Sequence, residues 1–163
     1  MYSRIIELSD RRLSPEERMT RFDVPDWFFD SVADYVAQTE ASRKDVIDWF
    51  MGSLNGAAAL KDEDTLIFSR NAMRRYFAHR FETFTEQLHK LEGISEDDFV
   101  GLTGNADSLM DRLNEIYCDR YSVYVYCSSS DCYISPLLPL DLWMRTTDLS
   151  RPFYFGGTVC YHC

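Results

Sequence analysis

Five cysteines lie in the last 46 residues of this 163-residue chain, and four of them form two close pairs. Four residues separate the members of the first pair, two separate those of the second, and 27 lie between the pairs. A tight turn brings two thiolates within reach of one tetrahedral Zn²⁺ ion at about 2.3 Å, so two such pairs complete its coordination shell. The spacing therefore predicts a structural zinc site formed by Cys127, Cys132, Cys160 and Cys163.

The arrangement resembles the two knuckles of a zinc ribbon, because each pair follows a predicted strand. This resemblance covers about 45 residues and implies a metal but no activity. Two other interpretations stay open: inert core thiols, as for Cys127 on the valine face of its strand, and disulfides, which need an oxidising compartment. His162 lies inside the second pair and is an alternative ligand. Cys118 is a candidate nucleophile with His79 as its base, although a thiol at a helix end is more often buried and inert.

The segment that carries these cysteines has the two-residue period of β-strands. Valines alternate with Tyr124 and Tyr126 in the strand predicted over residues 121–127. Further short strands are predicted over residues 132–134 and 153–155. The tyrosines lie on the face opposite the valines, and tyrosine is enriched in protein interfaces.

Before this segment the apolar spacing is helical. A helix is predicted to start at Ser14, with Pro15 at its first position, and further helices are predicted over residues 25–36, 42–55, 69–92 and 106–117. The longest of them carries a continuous apolar stripe, at Met73, Phe77, Phe81, Phe84, Leu88 and Leu91.

These patterns predict an α+β fold. We expect an N-terminal bundle of about five helices packed on a small C-terminal antiparallel sheet, stapled by the zinc-ribbon-like four-cysteine site. An acidic helical region, residues 1–118, and a small β region, residues 119–163, would form one compact domain together.

The charge of the chain is concentrated in its helical part. The 17 basic and 27 acidic side chains give a net charge of −10, and residues 22–120 hold ten of these bases and twenty of the acids. Sequence-independent binding of nucleic acid needs clustered basic residues, so this composition argues against it. No apolar run is long enough to span a membrane and no signal peptide is recognisable, so we expect a cytoplasmic protein.

Two further sets of side chains are candidates for binding. We expect a protein partner with a basic surface to meet acidic and tyrosine residues, namely Asp62, Glu63, Asp64, Tyr124, Tyr126 and Tyr154. The start of the longest helix carries a possible anion patch, Arg70, Arg74, Arg75 and Arg80. The alternative for the arginines is a solvated face that pairs with nearby acids.

The sequence lacks the motifs of common catalytic sites: phosphate-binding glycine loops, a nucleophile elbow, H-E-x-x-H and a complete EF-hand loop. We therefore expect a non-enzymatic, zinc-stabilised protein-binding module, an inhibitor or adaptor acting on a basic nucleic-acid-handling protein. One alternative is a nucleic-acid-binding accessory that uses the Arg70–Arg80 patch and the zinc end. The others are a structural subunit of a larger assembly, and an enzyme whose carboxylates assemble in space to hold Mg²⁺ or Mn²⁺.

Overall fold

A strand near the start of the chain lies in the middle of the sheet in this computed structural model. The structure describes residues 2–117, 123–128 and 135–163. The strands in these ranges are β1 (Tyr2–Ser9), β2 (Tyr35–Gln38), β3 (Ala58–Leu60), β4 (Thr65–Phe68), β5 (Val123–Cys127), β6 (Leu137–Pro139) and β7 (Phe153–His162). The α-helices are α1 (Asp26–Ser31), α2 (Arg43–Ser53), α3 (Ala72–Leu91), α4 (Glu96–Phe99), α5 (Asn105–Tyr117) and α6 (Leu140–Thr146).

The seven described strands form one curled mixed sheet, a half-barrel, in the order β3-β4-β7-β1-β5-β6. β1 is parallel to β5 and antiparallel to β7. β7 is ten residues long, so its other edge has room for two partners. It pairs there with β4 near Phe153 and with β2 near His162. The last strand therefore connects elements from the whole length of the chain.

Both faces of the sheet are covered by other parts of the chain. Ile5 and Ile6 are neighbours in β1 and both are fully buried, because each enters a different hydrophobic core. The larger core lies under α2, α6 and the first two turns of α3, while the smaller core lies under α1 and residues 19–24. A strand buried on both faces has no polar alternation.

Aromatic rings occupy the centre of each core. Trp143 of α6 is fully buried with its ring centroid 5.1 Å from that of Phe153. In the smaller core Phe28 lies edge-on to Tyr124 at 4.9 Å and to Tyr161 at 5.1 Å. Such edge-to-face pairs are worth about 0.5–1.5 kcal/mol each beyond the area they bury, so they favour one arrangement of the core.

The predicted architecture, a helical bundle on a small C-terminal sheet, is wrong. Residues 1–118 supply four of the seven described strands, including the central β1, so one sheet spans both predicted regions. Val36, predicted to be helical, lies in β2, where it is buried against α1. The helix predicted to start at Ser14 is a single 3-10 turn over Pro15–Glu17. The predicted helices that became α2, α3 and α5 are confirmed, with Ser42 capping α2.

Candidate functional site

The three described cysteines lie toward two ends of the sheet. Cys127 is paired with Leu8 at the end of β5, whereas Cys160 is paired with Arg4, four positions earlier along β1. At about 3.3 Å per residue these two cysteines are about 13 Å apart along the strand direction. Cys163 follows the last residue of β7 and lies farther still from Cys127. Two thiolates on one zinc ion are much closer, since each sulfur is about 2.3 Å from the metal.

No group of three or more His, Cys, Asp or Glu side chains is placed to hold a metal ion within the described residues. Cys118 and Cys132 lie outside those residues, so the four-cysteine zinc site as a whole stays a prediction. The predicted zinc staple has no support in the part of the chain that is described. His162, the alternative ligand, has its Nδ1 atom 2.8 Å from an Asp34 carboxylate oxygen, so that nitrogen is engaged within the fold.

The predicted tyrosine face is largely occupied by the fold itself. Tyr124 is only 4% exposed, in the smaller core, and Tyr126 packs against the same core. Tyr154 is half-buried, with the guanidinium of Arg12 5.3 Å from its ring centroid. The structure does not bring these three rings together on one exposed surface.

The predicted acidic site, residues 62–64, forms the turn between β3 and β4 and binds arginines of this same chain. Asp62 accepts a hydrogen bond from Arg12 at 2.7 Å, and Asp64 lies 2.8 Å from the guanidinium of Arg43. The hydroxyl of Thr65 is the largest cause that lowers the pKa of Asp62, followed by the backbone N–H of Asp64. Glu63 is exposed. Two of the three carboxylates therefore act within the fold.

The arginine cluster is divided in the structure. Arg70, Arg74 and Arg75 are exposed near the start of α3. Arg80 is half-buried and forms an ion pair with Asp141 of α6. The predicted anion patch is thus reduced to three arginines.

The structure contains a helical projection that was not predicted from the sequence; we call it the arm and define it as residues 78–117. Neither core contains a described residue between Phe77 and Val123. Beyond Phe77, α3 continues for about 20 Å at 1.5 Å per residue, and α5 returns alongside it. Phe84 and Tyr117 hold the two helices together near the base, with ring centroids 6.3 Å apart. The arm leaves much of its apolar surface uncovered.

Exposed apolar side chains are concentrated on this arm. Eight large apolar residues of the described chain are more than half exposed, and six of them belong to the arm: Phe81, Phe99, Val100, Leu102, Met110 and Tyr117. Three of the six form what we call the tip patch, namely Phe99, Val100 and Leu102, with exposures of 78%, 59% and 75%. Exposed apolar patches of this kind mark interaction sites in soluble proteins.

The tip patch is held by a network of hydrogen bonds centred on Asp98. Its carboxylate accepts from the backbone N–H and the hydroxyl of Ser95, both at 2.8 Å, and from the hydroxyl of Thr103. These bonds, that from Thr103 first, lower the pKa of Asp98 to about 2. Gly101, with φ of 84°, makes the tight turn between the apolar residues. These hydrogen bonds and this glycine therefore fix the conformation of the turn that carries the tip patch.

A polar joint fixes the base of the arm to the sheet and its covering helices α1, α2 and α6, which together we call the sheet body. Asp141 of α6 is buried, accepts a hydrogen bond at 2.8 Å from the hydroxyl of Tyr76, and also binds Arg80. On the same side, the guanidinium of Arg145 stacks 4.4 Å from the ring centroid of Phe77 and 4.7 Å from that of Tyr117. These contacts connect α3 and α5 to α6.

Comparisons with protein families, with curated proteins and with solved structures find no match to this chain. In the described ranges, no helix combines the length and apolar character needed to cross a bilayer.

Proposed function

We propose that this protein is a protein-binding module whose contact surface is the tip of the arm. The exposed tip patch, Phe99, Val100 and Leu102, carries the proposal. These side chains follow the far end of α3, which continues for about 20 Å beyond Phe77, and they reach neither core. A partner that covers them recovers the free energy of burying three large apolar side chains, about 1.5–3 kcal/mol for each one fully buried.

The electrostatics of the arm favour a basic partner. The arm holds nine acidic and three basic side chains, a net charge of −6 out of the chain's −10. Three of these acids, Glu96, Asp97 and Asp98, directly precede the tip patch. A basic surface around an apolar groove complements this arrangement, and long-range attraction accelerates the encounter. Two copies of the arm repel each other by the same charges, which disfavours self-association through the tip.

The order of the tip also favours binding. The hydrogen bonds of Asp98 with Ser95 and Thr103 fix the turn before any partner arrives. A preorganised contact surface loses less conformational entropy on binding than a flexible one. Proteins that handle nucleic acid have the required basic surfaces, so an inhibitor or adaptor of such a protein is the specific form of this proposal.

Site-specific photo-crosslinking in the native cell tests the proposal. A benzophenone amino acid replaces Phe99 in one variant and Phe22 in the control. Phe22 is 82% exposed but lies on the sheet body, so the two positions are matched in exposure. We expect Phe99 to give a discrete crosslink to a basic protein and Phe22 to give none.

Two further variants decide whether the crosslink reports the tip patch. Leu102→Ser should abolish the Phe99 crosslink because it removes a neighbouring apolar contact, whereas Leu60→Ser on the exposed β3 edge should preserve it. The proposal is contradicted if Phe99 captures nothing, captures a second copy of this chain, or captures the same species as Phe22.

A further inference from the structure

A separate cleft lies on the sheet body between the loop before α1, the start of α2, and the middle of β7. Its volume is about 260 Å³. Val46, Ile47 and Phe155 form an apolar floor, and the hydroxyl-bearing residues Thr20 and Thr158 lie at its sides. The size is just below the roughly 300 Å³ at which pockets for drug-sized ligands begin, so a compact ligand fits it.

One wall of the cleft is built by an irregularity in the pairing of β1 with β7. Gly156 and Gly157 lie opposite the single residue Glu7, because the register shifts between Ile6 and Leu8. The buried carboxylate of Glu7 accepts hydrogen bonds from the backbone N–H of Gly157 at 2.6 Å and of Met19 at 2.7 Å. A Cβ atom at Gly157 would lie 2.1 Å from the carbonyl oxygen of Met19. The loop at Met19 can therefore approach β7 this closely only because residue 157 is a glycine.

The second wall is Arg43, the first residue of α2, whose guanidinium is fixed by the fold. It donates to the carbonyl oxygens of Gly156 at 2.7 Å and Phe155 at 2.6 Å, and it binds Asp64. Its position is thus determined and its charge is already paired.

The remaining cation in the cleft, Arg18, has no such partner. No hydrogen bond and no ion pair to Arg18 occur within the described residues, although the side chain is half-buried and its Nε atom is inaccessible to solvent. The positive charge of Arg18 helps to lower the pKa of Glu16, but it is the smallest of the causes that lower it. A half-buried guanidinium without a partner costs free energy, because its N–H groups lose water and gain no acceptor.

We propose that this cleft binds a small organic carboxylate, with the carboxylate on Arg18 and an apolar body on the floor at Ile47 and Phe155. A guanidinium presents two parallel N–H donors that match the two oxygens of a carboxylate. Arg18 is the one cation of the cleft without a partner among the described residues, and a single guanidinium in a chain of net charge −10 matches a single negative charge better than a dianion. The floor of three apolar side chains, Val46, Ile47 and Phe155, accommodates a ring or a short branched chain.

Calorimetric titration with benzoate as the probe tests this site on the full chain. We expect saturable benzoate binding, and binding at least about tenfold weaker for acetate, which lacks the apolar body, and for benzyl alcohol, which lacks the charge. Phenyl phosphate distinguishes the two oxyanion chemistries. Tighter binding of phenyl phosphate than of benzoate would overturn the carboxylate assignment.

Variants locate the binding. Arg18→Gln should weaken benzoate binding at least about tenfold, while Arg70→Gln, the same charge change on an exposed arginine, should leave it unchanged. Arg18→Gln should also leave the melting temperature unchanged or raise it, because the guanidinium has no partner in the described fold to lose. Absence of saturable benzoate binding at about 10 mM, equal binding by both variants, or a lowered melting temperature of Arg18→Gln would each overturn the proposal.

Discussion

Similar apolar patterns are buried in the sheet body and largely exposed in the arm. In the body, apolar side chains from both faces of the sheet enter two cores, and residues such as Phe50 and Trp143 are fully buried. The apolar stripe of α3 enters a core only at Met73 and Phe77, before the arm begins, and Phe81, one turn later in the arm, is 69% exposed. The same stripe therefore serves two purposes, stability at its start and exposed surface at its end.

An amphipathic pattern therefore does not specify what covers the apolar face. Helical spacing indicates which side chains share a face. Whether that face is buried depends on whether other elements reach it. α6 reaches the start of α3 through Asp141, and α5 packs along the rest of α3 in the described structure.

The largest expected effect comes from a matched pair of phenylalanine truncations. Phe50→Ala removes a fully buried ring that lies edge-on to Phe155 at 5.7 Å, so we expect it to lower the free energy of unfolding by about 3–5 kcal/mol. Phe99→Ala on the arm should change it by less than about 0.5 kcal/mol. Urea denaturation measures both. Equal losses would show that the arm is as tightly packed as the body.

The joint between the two regions should show the next largest effect. Asp141→Ala leaves Tyr76 and the half-buried Arg80 without this acceptor, so we expect a loss of about 3 kcal/mol. Amide hydrogen exchange should become faster throughout α3. The control is Glu115→Ala, which breaks an exposed pair with Arg112 and should cost less than about 1 kcal/mol. Unchanged exchange in α3 of the Asp141 variant would mean that the arm is anchored elsewhere.

The smallest expected effect is a local opening of the tip of the arm at acidic pH. The pKa of Asp98 is lowered from 3.8 to about 2, so the charged form is favoured by the folded tip. The resulting stabilisation is complete above about pH 4 and is lost as the pH falls through about 2. We expect the amide signals of residues 96–103 to report local opening in that window. Asp98→Asn should show the opening at neutral pH, and a tip that stays closed at pH 2 would contradict the role of this carboxylate.

Much of the helical structure could be predicted from the sequence, but the architecture could not. Ser42 capping and the 3.6-residue period determine α2 and α5 locally. The central strand β1 was not predicted, because Ile5 and Ile6 enter opposite cores. The alternation of apolar and polar residues that indicates a strand is therefore missing. Val36 likewise fits the helical period of residues 25–36, yet it lies in β2. It does so because β2 pairs with β7, which is distant in sequence.

The candidate surfaces were harder to predict for a related reason. Tyr124 alternates as an exposed residue should, yet α1 covers it. Asp62 and Asp64 form ion pairs with Arg12 and Arg43, which are distant in sequence. Whether a side chain is exposed depends on which distant elements pack over it, and this cannot be read from the local spacing of residue types. The zinc prediction for the four cysteines remains a prediction, with Cys132 outside the described residues and Cys127 far from Cys160.

We propose that the tip of the arm binds a basic partner, and the affinity of the partner captured through Phe99 tests this proposal. Calorimetry would compare wild type with Phe99→Ser/Leu102→Ser and with the body control Phe22→Ser at two salt concentrations. We predict that the tip variant binds at least about tenfold more weakly, that Phe22→Ser binds as wild type does, and that salt weakens binding. Equal affinity of the tip variant and wild type would contradict the account.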